Sequence, residues 1–138
     1  MAEKHIILDY LPHRPPFLMV DKLTSVEENR FESEFYIPAD NILLAGGEFL
    51  ESGLIENIAQ TCAAGFGYLG AQKGEQPKVG YIGSVTKVDV FHLPPIGATI
   101  ITIVEPLHQL GNIVLVRGAN YWNEAKLVDC EMKIVISE

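Results

Sequence analysis

Residues 52–71 form the one long stretch of this chain whose apolar side chains recur at helical spacing, and it is apolar round much of its girth. Leu54, Ile55, Ile58, Ala59, Cys62, Ala63 and Phe66 fall at three- and four-residue steps. Ser52 is the expected N-cap, and Glu56 stands in the first turns, where an acid suits the helix dipole. Ala63, Ala64, Gly65, Gly67, Gly70 and Ala71 thin the helix. Glycine weakens a helix, so such a run points to close packing under a sheet. A helix with this distribution of apolar residues needs a sheet curled around it.

The rest of the chain supplies that sheet. Residues 5–10 can make one short helical turn. Residues 11–16 (LPHRPP) must be extended, because prolines forbid helix and bias their predecessors to extended geometry. Residues 17–25 (FLMVDKLTS) read as an apolar strand. In residues 30–37, Phe31, Ser33, Phe35 and Ile37 alternate with Glu32, Glu34 and Tyr36, the pattern of a half-buried strand. Residues 38–49 are a loop with Asp40-Asn41 and Gly46-Gly47 as turn signals. After the helix, residues 79–90, 99–107, 113–121 and 127–136 are rich in β-branched and aromatic residues. Leu110-Gly111-Asn112 and Trp122-Asn123-Glu124 read as hairpin connections. One long helix and five or six mostly antiparallel strands make an α+β domain spanning residues 1–138. A curled sheet with open edges suggests a dimer that extends the sheet across two chains.

Charge and cysteine usage narrow the classes. Net charge is −8, which argues against nucleic acid, whose phosphates need a basic face. It also argues weakly against an acidic protein partner, although Arg14, Lys73, Lys78 and Lys87 can supply a local basic patch. Cys62 and Cys130 show no metal-ligand spacing and read as reduced thiols of a cytoplasmic protein. The N-terminal apolar stretch is too short for a signal peptide, and no run approaches the roughly 20 apolar residues of a membrane span.

Three stretches together resemble the hot-dog dehydratases that act on 3-hydroxyacyl chains of acyl carrier protein. The first is Leu11-Pro12-His13-Arg14-Pro15-Pro16-Phe17-Leu18-Met19-Val20-Asp21, similar to that family's N-terminal signature. The second is Leu54-Ile55-Glu56-Asn57-Ile58-Ala59-Gln60, similar to the start of its central helix, with Glu56 at the position of the catalytic acid. The third is residues 88–97, VDVFHLPPIG, similar to a strand running into a Pro-x-x-Gly turn. The resemblance covers nearly the whole chain and implies a hot-dog fold. It departs in one respect: the family carries its catalytic histidine in the loop before the helix, and residues 38–49 contain none. That loop, with Ala39-Asp40-Asn41, more closely resembles a divergent branch, the dehydratase-like proteins of aryl-polyene pigment clusters.

Dehydration of a 3-hydroxyacyl thioester moves two protons. A base removes one beside the thioester carbonyl, and an acid protonates the departing hydroxyl. The enolate oxygen between needs hydrogen-bond donors, and free amides at a helix start, here Gly53 and Leu54, are natural ones. Glu56 is the candidate acid; burial between Ile55 and Ile58 would favour its protonated form. His13 can serve as base if its extended segment crosses the site, or it is a structural histidine bonding to backbone. Gln60, one turn after Glu56, can orient its carboxyl group or be an ordinary buried amide. An acyl tunnel beside the helix would be lined by Phe17, Leu54, Ile58 and Phe91, each of which is equally at home in a core. No metal site and no cofactor is expected. The implied partners are an acyl carrier protein bearing an acyl-phosphopantetheine, and a second subunit in a homodimer or a heterodimer with another hot-dog protein. Two alternatives stand beside the lyase: an acyl thioesterase on the same fold, with Glu56 activating water, and a catalytically silent acyl-binding subunit of a dehydratase complex.

Overall fold

A computed structural model describes residues 7–76, 78 and 80–137. The chain enters through a single 3-10 turn, Ile7–Asp9, inside the helical turn expected at 5–10, whose first two residues lie outside the described ones. Among the described residues, eight strands and one helix follow: β1 (Lys22–Glu27), β2 (Arg30–Tyr36), β3 (Leu44–Ala45), β4 (Glu48–Phe49), α1 (Glu51–Ala71), β5 (Gly80–Val90), β6 (Thr99–Leu110), β7 (Ile113–Trp122) and β8 (Ala125–Ile136). Six of the strands make one sheet in the order β1-β2-β6-β7-β8-β5, antiparallel throughout. The helix packs on this sheet, touching β1, β2, β5, β6, β7 and β8. This is the α+β hot-dog arrangement.

The period-two pattern of β2 works as its sequence implies: Phe31, Ser33 and Phe35 are buried and Tyr36 faces out. β6, β7 and β8 follow the same alternation, and their inward residues, among them Ile100, Val104, Val114, Val116, Met132 and Ile134, form the core with Leu54, Ile58 and Cys62 of α1. The turn between β7 and β8 uses Asn123 (φ 50) and Glu124 (φ 68), two left-handed residues that match the twist of a tight hairpin. The small residues of α1 serve close contact. A Cβ on Gly65 would lie 2.2 Å from the Phe31 ring, and one on Gly67 would lie 2.3 Å from the Tyr10 carbonyl oxygen.

Three expectations need correction. Residues 17–21 are not strand; β1 begins at Lys22, because the backbone of 17–19 bonds to side chains of α1 instead of to a neighbouring strand. The loop 38–49 contains a two-strand hairpin, β3–β4, turned by Gly46 (φ 59) and Gly47 (φ 80). The helix starts one residue early, with Leu50 in the N-cap position and no side-chain cap, so Ser52 does not cap it. The hairpin delivers Phe49 into the core and thereby sets where the helix begins. The expected strand start at 79 lies outside the described residues.

Strand β5 is unlike the others. It lies at the sheet edge with β8 as its one neighbour, and Tyr81, Ile82, Val88 and Val90 are exposed, as is Phe91 just beyond it. A long apolar edge strand is a template for pairing with another chain.

Candidate active site

The segment 11–21 is a strap laid across α1. Its outer end is anchored by Leu11, which shares a small apolar cluster with Ile7, Val20, Leu23 and Ala64. Its inner end is held by amides. The Met19 N–H donates to Gln60 Oε1 (2.6 Å), Gln60 Nε2 donates to the Phe17 carbonyl (2.8 Å), and Asn57 Nδ2 donates to the Met19 carbonyl (2.7 Å). Arg14 closes the strap on itself, donating to the carbonyls of Leu11 (2.7 Å), His13 (2.8 Å) and Leu8 (3.2 Å). These bonds explain why the strap needs no sheet partner at Phe17 and Met19.

Between its two anchors the strap presents His13 to the helix. His13 Nε2 lies 3.9 Å from Glu56 Oε2, with the two side chains 25% and 36% exposed. That is too long for a direct hydrogen bond and short enough for both groups to reach one substrate atom. Gln60 Nε2 donates to the same carboxyl oxygen at 2.9 Å, so one buried amide orients Glu56 and the strap together. Burial holds the His13 imidazole below its ordinary value of 6.5; the nearby Glu56 carboxyl opposes this and the Arg14 guanidinium adds to it. His13 Nδ1 is buried and has no hydrogen-bond partner among the described residues.

His13 and Glu56 face a cleft of about 250 Å³ whose other walls are Ala59 and Ala63 of α1, Gly80, Tyr81 and Ile82 of β5, and Ile134 of β8. A second cavity of about 520 Å³ shares Ala63, Gly80 and Ile134 with it and continues along the helix past Cys62, Phe66 and Leu69. The two cavities therefore lie side by side along the helix, with Ala63, Gly80 and Ile134 common to both linings. Both cysteines are free and buried, with burial pushing the thiols up to about 12 for Cys62 and about 11 for Cys130. Neither is a nucleophile near neutrality. Among the described residues no cluster of His, Cys, Asp and Glu has the makings of a metal site. No helix there is long and apolar enough to cross a membrane.

The structure therefore brings His13, Glu56 and Gln60 together and places the other candidates elsewhere. The amides of Gly53 and Leu54 both donate to the Leu50 carbonyl (2.9 and 3.1 Å), because the helix starts at Glu51, so they are not free donors for an oxyanion. Gly53 is instead required by contact: an added Cβ would lie 2.4 Å from the Phe49 ring. Leu54 and Ile58 are fully buried core residues that line neither cavity. Phe17 and Phe91 are 62% and 51% exposed, on the surface of the chain and not in a tunnel within it. Glu56 is less buried than its apolar neighbours imply, because its side of the helix faces the cleft. Sequence reasoning missed Ala63, Ile134 and Tyr81 as cleft walls, and it missed Asn57. Only the last carried a signal: a polar amide among apolar helix positions.

Comparisons with known proteins bear on the fold and on the family. A family model described as "ApeP-like: ApeP dehydratase" matches residues 5–131. Among solved structures, the chain is similar to one in the dehydratase heterocomplex ApeI:P from Xenorhabdus doucetiae, with 17% identity, a TM-score of 0.89, and 96% of this chain and 91% of that one covered. It is also similar to a hypothetical thioesterase from Streptococcus pneumoniae solved with coenzyme A (9% identity, TM-score 0.66, 83% and 84% covered). A third similar structure is the PaaI protein of the phenylacetic acid degradation operon of E. coli (14% identity, TM-score 0.65, 82% and 80% covered). No curated protein matches the sequence. At these identities the structural likenesses speak for a shared fold, whereas the family match spans nearly the whole chain: this protein belongs to the ApeP-like dehydratase family.

Proposed function

We propose that this protein removes water from 3-hydroxyacyl thioesters carried on the phosphopantetheine of acyl carrier protein, giving trans-2-enoyl thioesters, with His13 as base and Glu56 as acid. The observation that carries this reading is the His13–Glu56 pair, 3.9 Å apart at a cleft that shares Ala63, Gly80 and Ile134 with a larger cavity beside the helix. Neutral His13 Nε2 takes the proton from the carbon next to the thioester carbonyl. Glu56 acts as the acid, its carboxyl passing a proton to the 3-hydroxyl as the carbon–oxygen bond breaks, and water leaves. The imidazolium then returns a proton to the Glu56 carboxylate by way of the released water, since 3.9 Å is too long for direct transfer, and both groups are reset. Lowered basicity keeps His13 unprotonated into mildly acidic conditions, so the loop histidine missing from residues 38–49 is replaced by one on the strap. The activity should fall on the acid side as His13 protonates, with its midpoint below 6.5 in a pH–rate profile of kcat/KM.

The same titration bears on stability. The folded value is lowered, so the unfolded chain binds more protons between 6.5 and that lower value. The contribution of His13 is complete above 6.5 and is lost as pH falls through that window. His13→Ala should therefore flatten the acid limb of a urea-midpoint series measured against pH.

The acyl chain runs from the cleft past Ala63 into the larger cavity in this reading. Ala63→Leu should obstruct that route, cutting kcat/KM for long acyl chains about tenfold or more and sparing short ones, because residue 63 lines both cavities. A partner subunit pairs along the open edge of β5, whose Tyr81 and Ile82 also wall the cleft. The occurrence of a similar chain in a dehydratase heterocomplex favours a second, non-identical hot-dog subunit over a copy of this one.

The test is mass spectrometry of carrier-bound 3-hydroxyacyl substrates incubated with the purified protein, alone and with a companion subunit. Loss of one water supports the proposal. Release of free thiol moves the assignment to a thioesterase. No reaction alone and reaction with the companion that is indifferent to Glu56→Gln identifies a silent subunit.

A further inference from the structure

Asn57 follows Glu56 directly and is fully buried on the sheet side of α1. Leu54, Ile58 and Cys62 around it on the buried side of the helix are all core. An amide there is costly unless each polar atom is met. Asn57 meets them on three elements at once. Its Nδ2 donates to the Met19 carbonyl of the strap (2.7 Å), and its Oδ1 accepts from the Thr102 hydroxyl of β6 and from Asn120 Nδ2 of β7 (3.3 Å). Asn120 Nδ2 also donates to the Leu54 carbonyl (2.9 Å), and Thr61 joins the Asn57 carbonyl (2.8 Å) to the Ser33 hydroxyl of β2 (2.6 Å).

Two of these bonds suffice to fix the helix on the sheet. The third does something different: it ties the strap that bears His13 to the residue adjoining Glu56. Between Leu11 and Met19 the strap bonds to the helix through Phe17 and Met19, and Asn57 and Gln60 hold those two residues. We infer that Asn57 is a positioning residue, whose donation to the Met19 carbonyl sets the His13–Glu56 spacing from beneath the active site. This rests on the dehydratase reading for its catalytic consequence, but the placement of His13 is measurable without any activity.

The experiment compares Asn57→Leu with Thr102→Val. The first removes the strap bond together with both sheet bonds while keeping apolar volume. The second removes a sheet bond to the same amide and leaves the strap bond in place. The readouts are the His13 titration by NMR and kcat and KM in the water-loss assay. The charged or titratable groups facing His13 are Glu56 of α1, Arg14 of the strap and Tyr81 of β5, and both variants retain them. With the strap bond gone, His13 is expected to gain water and titrate closer to 6.5, since burial is the main cause of its lowering. The kcat is expected to fall about tenfold to a hundredfold, with KM little changed. Thr102→Val should leave the His13 titration and kcat as in the parent. Equal behaviour of the two variants, whether both shift His13 or neither does, would overturn the inference and make Asn57 a packing residue. If Asn57→Leu does not fold, Asn57→Ser is read in its place by the same criteria. A parent protein with no dehydratase activity leaves the titration to decide the positioning on its own.

Discussion

Glu56→Gln is expected to lower kcat/KM for water loss by about a thousandfold, the usual contribution of a positioned acid or base. The substitution removes the ionisable proton and little else. Gln60 Nε2 donates to Glu56 Oε2 in the parent, and a glutamine carbonyl accepts the same bond. The side chain is also 36% exposed, so no charge buried in the core is exchanged for a neutral group. Thermal stability should consequently stay within about 0.5 kcal/mol of the parent. A variant equally inactive but several degrees less stable would mean that Glu56 is part of the scaffold.

The largest expected effect on stability belongs to Phe31→Ala, at about 3–5 kcal/mol by urea unfolding. Phe31 is wholly buried, packs its ring edge-on against Phe66 with centroids 5.1 Å apart, and fills the notch that Gly65 leaves in the helix. Neither neighbour can close the void. Gly65 has no side chain to extend, and Phe66 also lines the larger cavity, so its collapse toward Phe31 would enlarge that space. Against a total stability of about 5–15 kcal/mol, such a loss is a large fraction. A cost below about 1 kcal/mol would contradict the tight contact between β2 and the glycine stretch of α1.

The elements that were legible in the sequence are those whose pattern is local. Phe31, Ser33, Phe35 and Ile37 declare β2 by alternation, and richness in β-branched and aromatic residues marks β6, β7 and β8. The strap was not legible, because its hydrogen-bond partners stand about forty positions away in sequence. Phe17 and Met19 look like strand residues until Asn57 and Gln60 are seen to take their backbone groups. The helix start was misplaced for a related reason: the β3–β4 hairpin and buried Phe49 fix it, and Ser52 is not its cap. Within the candidate site, the motif resemblance singled out Glu56, His13 and Gln60, and the fold brings these three together. It did not sort lining from core. Leu54 and Ile58 are core, Phe17 and Phe91 are exposed, and Ala63 and Ile134 are the walls, since apolar character alone serves all three places equally.

The most direct test of His13 as the base follows the proton it moves. The enoyl thioester is incubated with the protein and the proposed companion subunit in D2O, and mass spectrometry reads deuterium at the carbon next to the thioester carbonyl as water adds back. If His13 delivers that proton, the parent should incorporate one deuterium there, and His13→Ala should slow the incorporation by about a hundredfold or more. Incorporation at the parental rate in His13→Ala would contradict the assignment, and the base would have to come from the companion subunit.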